Sequence, residues 1–117
     1  MITIILNHQP YDGSDVTWNA LRLASTLFKS GESVNIFLMN DAVDLARDKT
    51  LKPKSYDHDL VFMLKKMYED GIALQVCGTC SARCGLYKNE PYFNNKISST
   101  MQVLADWVSQ SKQVLTF

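Results

Sequence analysis

Ile72-Ala73-Leu74-Gln75-Val76, followed without a break by Cys77-Gly78-Thr79-Cys80, is the stretch on which the reading of the fold turns. Five mostly apolar residues directly after Gly71 have the length of a strand. Upstream, Leu60, Val61, Leu64, Met67 and Tyr68 recur at helical spacing, predicting a helix from His58 to Asp70, capped by Ser55 or Asp57 and ended by Gly71. Helix, strand and cysteine-bearing turn thus follow one another directly.

The same alternation continues in both directions. Val34 to Met39 reads as a buried strand, after which Asn40 and Asp41 open a short helix to about Asp48. Thr50 to Tyr56, with Pro53 between Lys52 and Lys54, reads as a surface loop. Ile2 to Leu6 is a β-branched apolar run of the kind buried on both faces. Asn7 to Ser14 is a loop holding Pro10 and Gly13, and Asp12, Ser14 or Asp15 can cap the helix that follows. That helix aligns Thr17, Leu21, Ala24 and Phe28, widened by Ala20 and Leu27, and stops at Lys29 before Gly31. Beyond the cysteines, Tyr87 to Asn95 is irregular around Pro91, and Lys96-Ile97 reads as a very short strand. Ser98 or Ser99 caps a helix with Met101, Leu104, Ala105 and Val108 on one side, and Gln113 to Phe117 is a last strand.

Strands alternating with helices require crossover connections, hence an α/β domain with a mostly parallel sheet and helices on both faces. Residues 1–117 form one domain on this reading, with no repeat or linker. Such sheets place ligand sites outside the carboxyl ends of their strands. Three of these ends are Asn7-His8-Gln9, Asn40-Asp41 and Cys77-Gly78, so the cysteines fall where the architecture expects chemistry.

Composition narrows the function classes. A hydrophobic content of 46% and a charged content of 21% are ordinary for a globular domain. The formal net charge of zero argues against a nucleic-acid partner, which needs a basic surface, and leaves nothing to keep copies of the chain apart. No apolar run is long enough for a membrane span, and the first residues carry no basic leader, so the expected location is the cytoplasm. Thiols stay reduced there. Three cysteines within eight residues then point to reactive, metal-binding or redox thiols rather than a disulfide framework.

Cys77 follows a strand and precedes an expected helical turn from Ser81 to Leu86. Unpartnered N–H groups at such a turn lower a thiol's pKa, and Arg83 would add a positive charge. The thiolate is the form that attacks a sulfane sulfur or a disulfide. Cys80 has the spacing of a redox pair, Gly78 keeps the approach open, and Cys84 lies four residues past Cys80. Against this stand two other readings: small buried hydrophobes, or a three-cysteine metal site completed by His8. The usual zinc partner, a second C-x-x-C or an H-x₃₋₅-H, is absent from the sequence. His8 is a proton donor or an ordinary loop histidine; Asp41 is a cap or a polar group at the site mouth. Arg47, Lys49, Lys52 and Lys54 read as a solvated basic face, and His58 as solvated. Trp18 and Trp107 read as packing or interface residues, and Tyr92-Phe93 as exposed aromatics marking an oligomer contact. No nucleotide-binding or nucleophile-elbow motif occurs, and no cofactor is expected.

Several segments taken together resemble the DsrE/DsrF-like family, and its YchN-like branch in particular. They are Pro10-Tyr11-Asp12-Gly13-Ser14, Leu21-Arg22-Leu23-Ala24, Phe37-Leu38-Met39-Asn40-Asp41-Ala42-Val43, the Cys77-x-x-Cys80 segment and Lys112-Gln113-Val114-Leu115-Thr116-Phe117. The resemblance runs nearly end to end. It implies a three-layer α/β/α sandwich around a five-stranded parallel sheet, and assembly of copies into homotrimers or homohexamers. It also implies a cysteine, Cys77 by position, that accepts persulfide sulfur from a donor protein and passes it to an acceptor. Cys80 matches the branch's second cysteine. The branch reads C-x-x-C-x-x-x-R-G, whereas here Cys84 precedes Gly85 and the arginine, Arg83, stands one place early. The expectation is a sulfur carrier or sulfurtransferase-like protein. The alternatives are a dithiol redox protein using Cys77 and Cys80, a non-catalytic oligomeric binding module, and a metal-binding protein.

Overall fold

The computed structural model describes residues 1–79 and 91–117. Strands β1 (Ile2–Leu6), β2 (Val34–Leu38), β3 (Ala73–Cys77), β4 (Ser98–Ser99) and β5 (Gln113–Thr116) form one sheet in the order β4-β3-β2-β1-β5. Every pairing is parallel. The three central strands are the apolar, β-branched runs, and β2 is buried along its whole length.

Helices α1 (Val16–Lys29) and α2 (Leu60–Glu69) connect β1 to β2 and β2 to β3. Both connections step the same way across the sheet, so right-handed crossovers put both helices on one face, where they touch. Helix α3 (Met101–Gln110) returns from β4 to β5 in the opposite direction and covers the other face. Phe37 meets the Trp107 ring edge-on at 6.0 Å there, and Thr3 Oγ1 lies 2.6 Å from Ser111 Oγ. The result is the expected three-layer α/β/α sandwich.

Registers assign the faces. Phe37 stands beside Gln75, so Gln75 and, two residues on, Cys77 lie on the α3 face. Ser99 is the register partner of Cys77 and shares that face. Leu74 and Val76 turn the other way, towards α1 and α2.

Four local expectations shift. Helix α2 starts at Leu60 and is capped by Asp59, whose carboxylate accepts from the Phe62 amide, not by Ser55 or Asp57. His58 lies outside the helix and stacks on Trp18, with ring centroids 4.1 Å apart, so it is partly buried rather than fully solvated. Asn95–Ile97 is a 3₁₀ turn rather than a strand, because the Asn94 side chain accepts from the Lys96 amide. Pairing begins at Ser98, which leaves Thr100 to cap α3 by accepting from the Val103 amide. Asp15 occupies the N-cap position of α1 without a side-chain bond; Ser14 Oγ accepts from Val16 instead, at 3.4 Å. Gly31 and Gly71 follow α1 and α2 at φ 97 and 112, the left-handed conformation that closes a helix end.

On α3 the inward residues are Val103, Leu104 and Trp107, while Met101, Ala105 and Val108 face outward. The apolar side read from the sequence is therefore split between core and surface. Among the described residues no helix is long and apolar enough to cross a membrane.

Candidate functional site at the end of the third strand

Strand β3 delivers Cys77 to the carboxyl edge of the sheet, where the residue is only 6% exposed. Gly78 and Thr79, immediately after it, are helical. A Cβ added to Gly78 would lie 3.1 Å from the Ser99 carbonyl oxygen and 3.2 Å from Ser98 Oγ. The missing side chain therefore lets β4 close on β3. Strand packing is thus one role of Gly78, beside the open approach expected of it.

Tyr92 fastens the strand end. Its hydroxyl donates to the Cys77 carbonyl at 2.9 Å. The 3₁₀ helix Asn40–Ala46, which follows β2, holds Tyr92 in place: Arg47 and Tyr92 form an antiparallel bridge, the Asp48 amide donates to Pro91 and the Phe93 amide to Ala46. Tyr92 and Phe93 are thus packed inward rather than exposed, Phe93 lying edge-on to Tyr68.

Arg47 departs furthest from expectation. It is not part of a solvated basic face but wholly buried, at 0% exposure. Its Nε donates to Asp44 Oδ1 at 2.7 Å, and its guanidinium carbon lies 5.7 Å from the Tyr92 ring centroid. A buried charge requires such partners. The signal in the sequence was Asp44 three residues earlier, inside the otherwise apolar run Ala42 to Ala46; that spacing pairs charges on a helical turn. Lys49, Lys52 and Lys54 are exposed, as expected.

Ser99 completes the neighbourhood. Its Oγ is buried and has no hydrogen-bond partner among the described residues. The sequence marked it only as a candidate helix cap, since its place beside Cys77 depends on the β3–β4 register.

His8 is exposed at the end of β1, two strands from β3, with Nδ1 3.9 Å from Asp12 Oδ2. Hydrogen bonds from Ser14, the hydroxyl first, hold the Asp12 carboxyl below its usual range. Asp41 is exposed in the first turn of the 3₁₀ helix, where Met39 takes the cap position. The neighbouring Asn40 sits at φ 51 and donates to Asn7 Oδ1 at 2.9 Å, tying the ends of β1 and β2 together. Cys80, Arg83 and Cys84, with the turn expected from Ser81 to Leu86, lie outside the described residues. Among the described residues no three His, Cys, Asp or Glu side chains gather as metal ligands.

A model described as the DsrE/DsrF-like family matches residues 1–117. The uncharacterized protein MK0008 of Methanopyrus kandleri is 34% identical over 117 residues, covering 100% of this chain and 93% of its own. The uncharacterized protein MJ0989 of Methanocaldococcus jannaschii is 36% identical over 115 residues, covering 98% and 97%. Among solved structures, the ychN protein from E. coli superposes with a TM-score of 0.82 at 30% identity, covering 99% of this chain and 97% of that one.

Proposed function

The chain belongs to the DsrE/DsrF-like family, and from that membership and the placement of Cys77 we propose that it is a sulfur carrier, holding sulfane sulfur as a persulfide on Cys77. The family is associated with sulfur relay. The observation that carries the reading is a thiol at the carboxyl end of a central parallel strand, its backbone fixed by Tyr92. Ligand sites of parallel sheets lie at this edge.

In the transfer, the Cys77 thiolate forms a bond to the outer sulfur of a donor persulfide R-S-SH. The donor's S–S bond breaks, and the donor leaves as R-SH with the proton of the outer sulfur. The product is Cys77-S-S⁻. An acceptor thiol reverses the exchange, so no net oxidant or reductant is consumed. The donor and acceptor are proteins bearing reactive thiols, in the reducing interior of the cell. Copies of the chain assemble as a homotrimer or homohexamer, and the outward stripe of Met101, Ala105 and Val108 on α3 supports that assembly.

Intact mass of the reduced protein after exposure to a persulfide donor tests the proposal. Wild type should gain one sulfur atom and Cys77→Ser none. If neither gains sulfur, and the Cys77 thiol alkylates as slowly as a buried structural cysteine, the carrier reading is wrong.

A further inference from the structure

We propose that Ser99 is the group that binds the transferred sulfur: its hydroxyl donates a hydrogen bond to the outer, anionic sulfur of the Cys77 persulfide. This rests on the persulfide reading given above.

Ser99 and Cys77 are register partners on adjacent parallel strands, with side chains on the same sheet face. Neighbouring strands run about 4.8 Å apart. Ser99 Oγ is buried and makes no hydrogen bond among the described residues, Cys77 included. A buried hydroxyl without a partner is uncommon, because the water it gives up is not replaced. Gly78 adds to the close fit of this corner: a Cβ there would crowd the Ser99 carbonyl and Ser98 Oγ at 3.1 and 3.2 Å, so β4 would have to shift slightly away from the strand end.

A persulfide changes the local chemistry in one respect. It places a second sulfur about 2 Å beyond Sγ, and that sulfur carries the negative charge. The hydroxyl that has no role beside the resting thiol thereby acquires an acceptor. A bond from a neutral donor to a charged acceptor is about twice as strong as one between neutral groups. The free protein carries the cost of an unpaired hydroxyl, and the loaded protein recovers it, which favours the sulfur-bearing state.

The two states can be tested separately with Ser99→Ala and Ser99→Thr, the latter keeping the hydroxyl. Each variant is equilibrated with a low-molecular-weight persulfide and its corresponding thiol, and loading is read by intact mass. Ser99→Ala should load Cys77 with an equilibrium constant about tenfold lower than wild type, the effect of one hydrogen bond to a charged group, and Ser99→Thr should restore most of the loss. In the unloaded protein, Ser99→Ala should alkylate at Cys77 with the wild-type pH profile and melt at the same or a higher temperature. A general disturbance of the strand end would move both of those readouts. Wild type and Ser99→Ala loading equally would overturn the assignment of Ser99 while leaving the carrier reading intact. Wild type failing to load would overturn both.

Discussion

Arg47 and Asp44 place a full ion pair beneath the strand-end segment, with the arginine cut off from water and Asp44 still 15% exposed. Their mutual attraction, the Tyr92 ring and the bridge to Tyr92 all bear on the backbone that holds Cys77. Arg47→Met removes one partner and leaves the carboxylate without its counter-charge. Breaking a buried pair in this way is expected to cost about 3 kcal/mol, the low end of the usual range because Asp44 keeps some contact with water. Arg47→Lys should recover only part of this, since an ammonium lacks the planar donor fork. Urea denaturation of the three proteins measures the differences, and an Arg47→Met variant as stable as wild type would contradict the structural role given to the pair.

At the scale of elements, the helices are fixed by one or two polar side chains at their starts. Helix α2 has two such groups. Asp59 accepts from Phe62, and the Tyr11 hydroxyl, brought from the β1–α1 loop, accepts from the Leu60 amide at 2.9 Å. Tyr11 also packs edge-on to Tyr56 at 5.0 Å, joining that loop to the approach to α2. Asp59→Ala should therefore destabilise the protein by about 1 kcal/mol, read as a lower urea midpoint at unchanged slope. An unchanged midpoint would mean that Tyr11 alone is enough to start the helix. Strand β4, only two residues long, matters for a different reason: it brings Ser99 beside Cys77.

The whole molecule has unequal faces. Helices α1 and α2 cover one side of the sheet, whereas α3 alone is described on the other and leaves Met101 59% exposed, with Val108 and Val114 also exposed. With a net charge of zero, no long-range repulsion opposes contact between copies. Sedimentation velocity at micromolar concentration should show wild type as a trimer or hexamer. The double variant Met101→Glu, Val108→Glu should sediment as a monomer with an unchanged circular dichroism spectrum. A monomeric wild type would remove the assembly from the proposed function.

The sequence by itself determined the alternation of strands and helices, the parallel sheet and the placement of Cys77 at a strand end. These follow from apolar periodicity and from glycine and capping residues, which act on neighbours within a few positions. Burial of Arg47 was legible only in the Asp44 spacing, and the lysines around it masked that signal. The Tyr92 bond to the Cys77 carbonyl, the facing of Ser99 and Cys77, and the two-strand separation of His8 from Cys77 were decided by the tertiary structure. Each depends on register and strand order, which join residues far apart in the chain through contacts that no local pattern encodes.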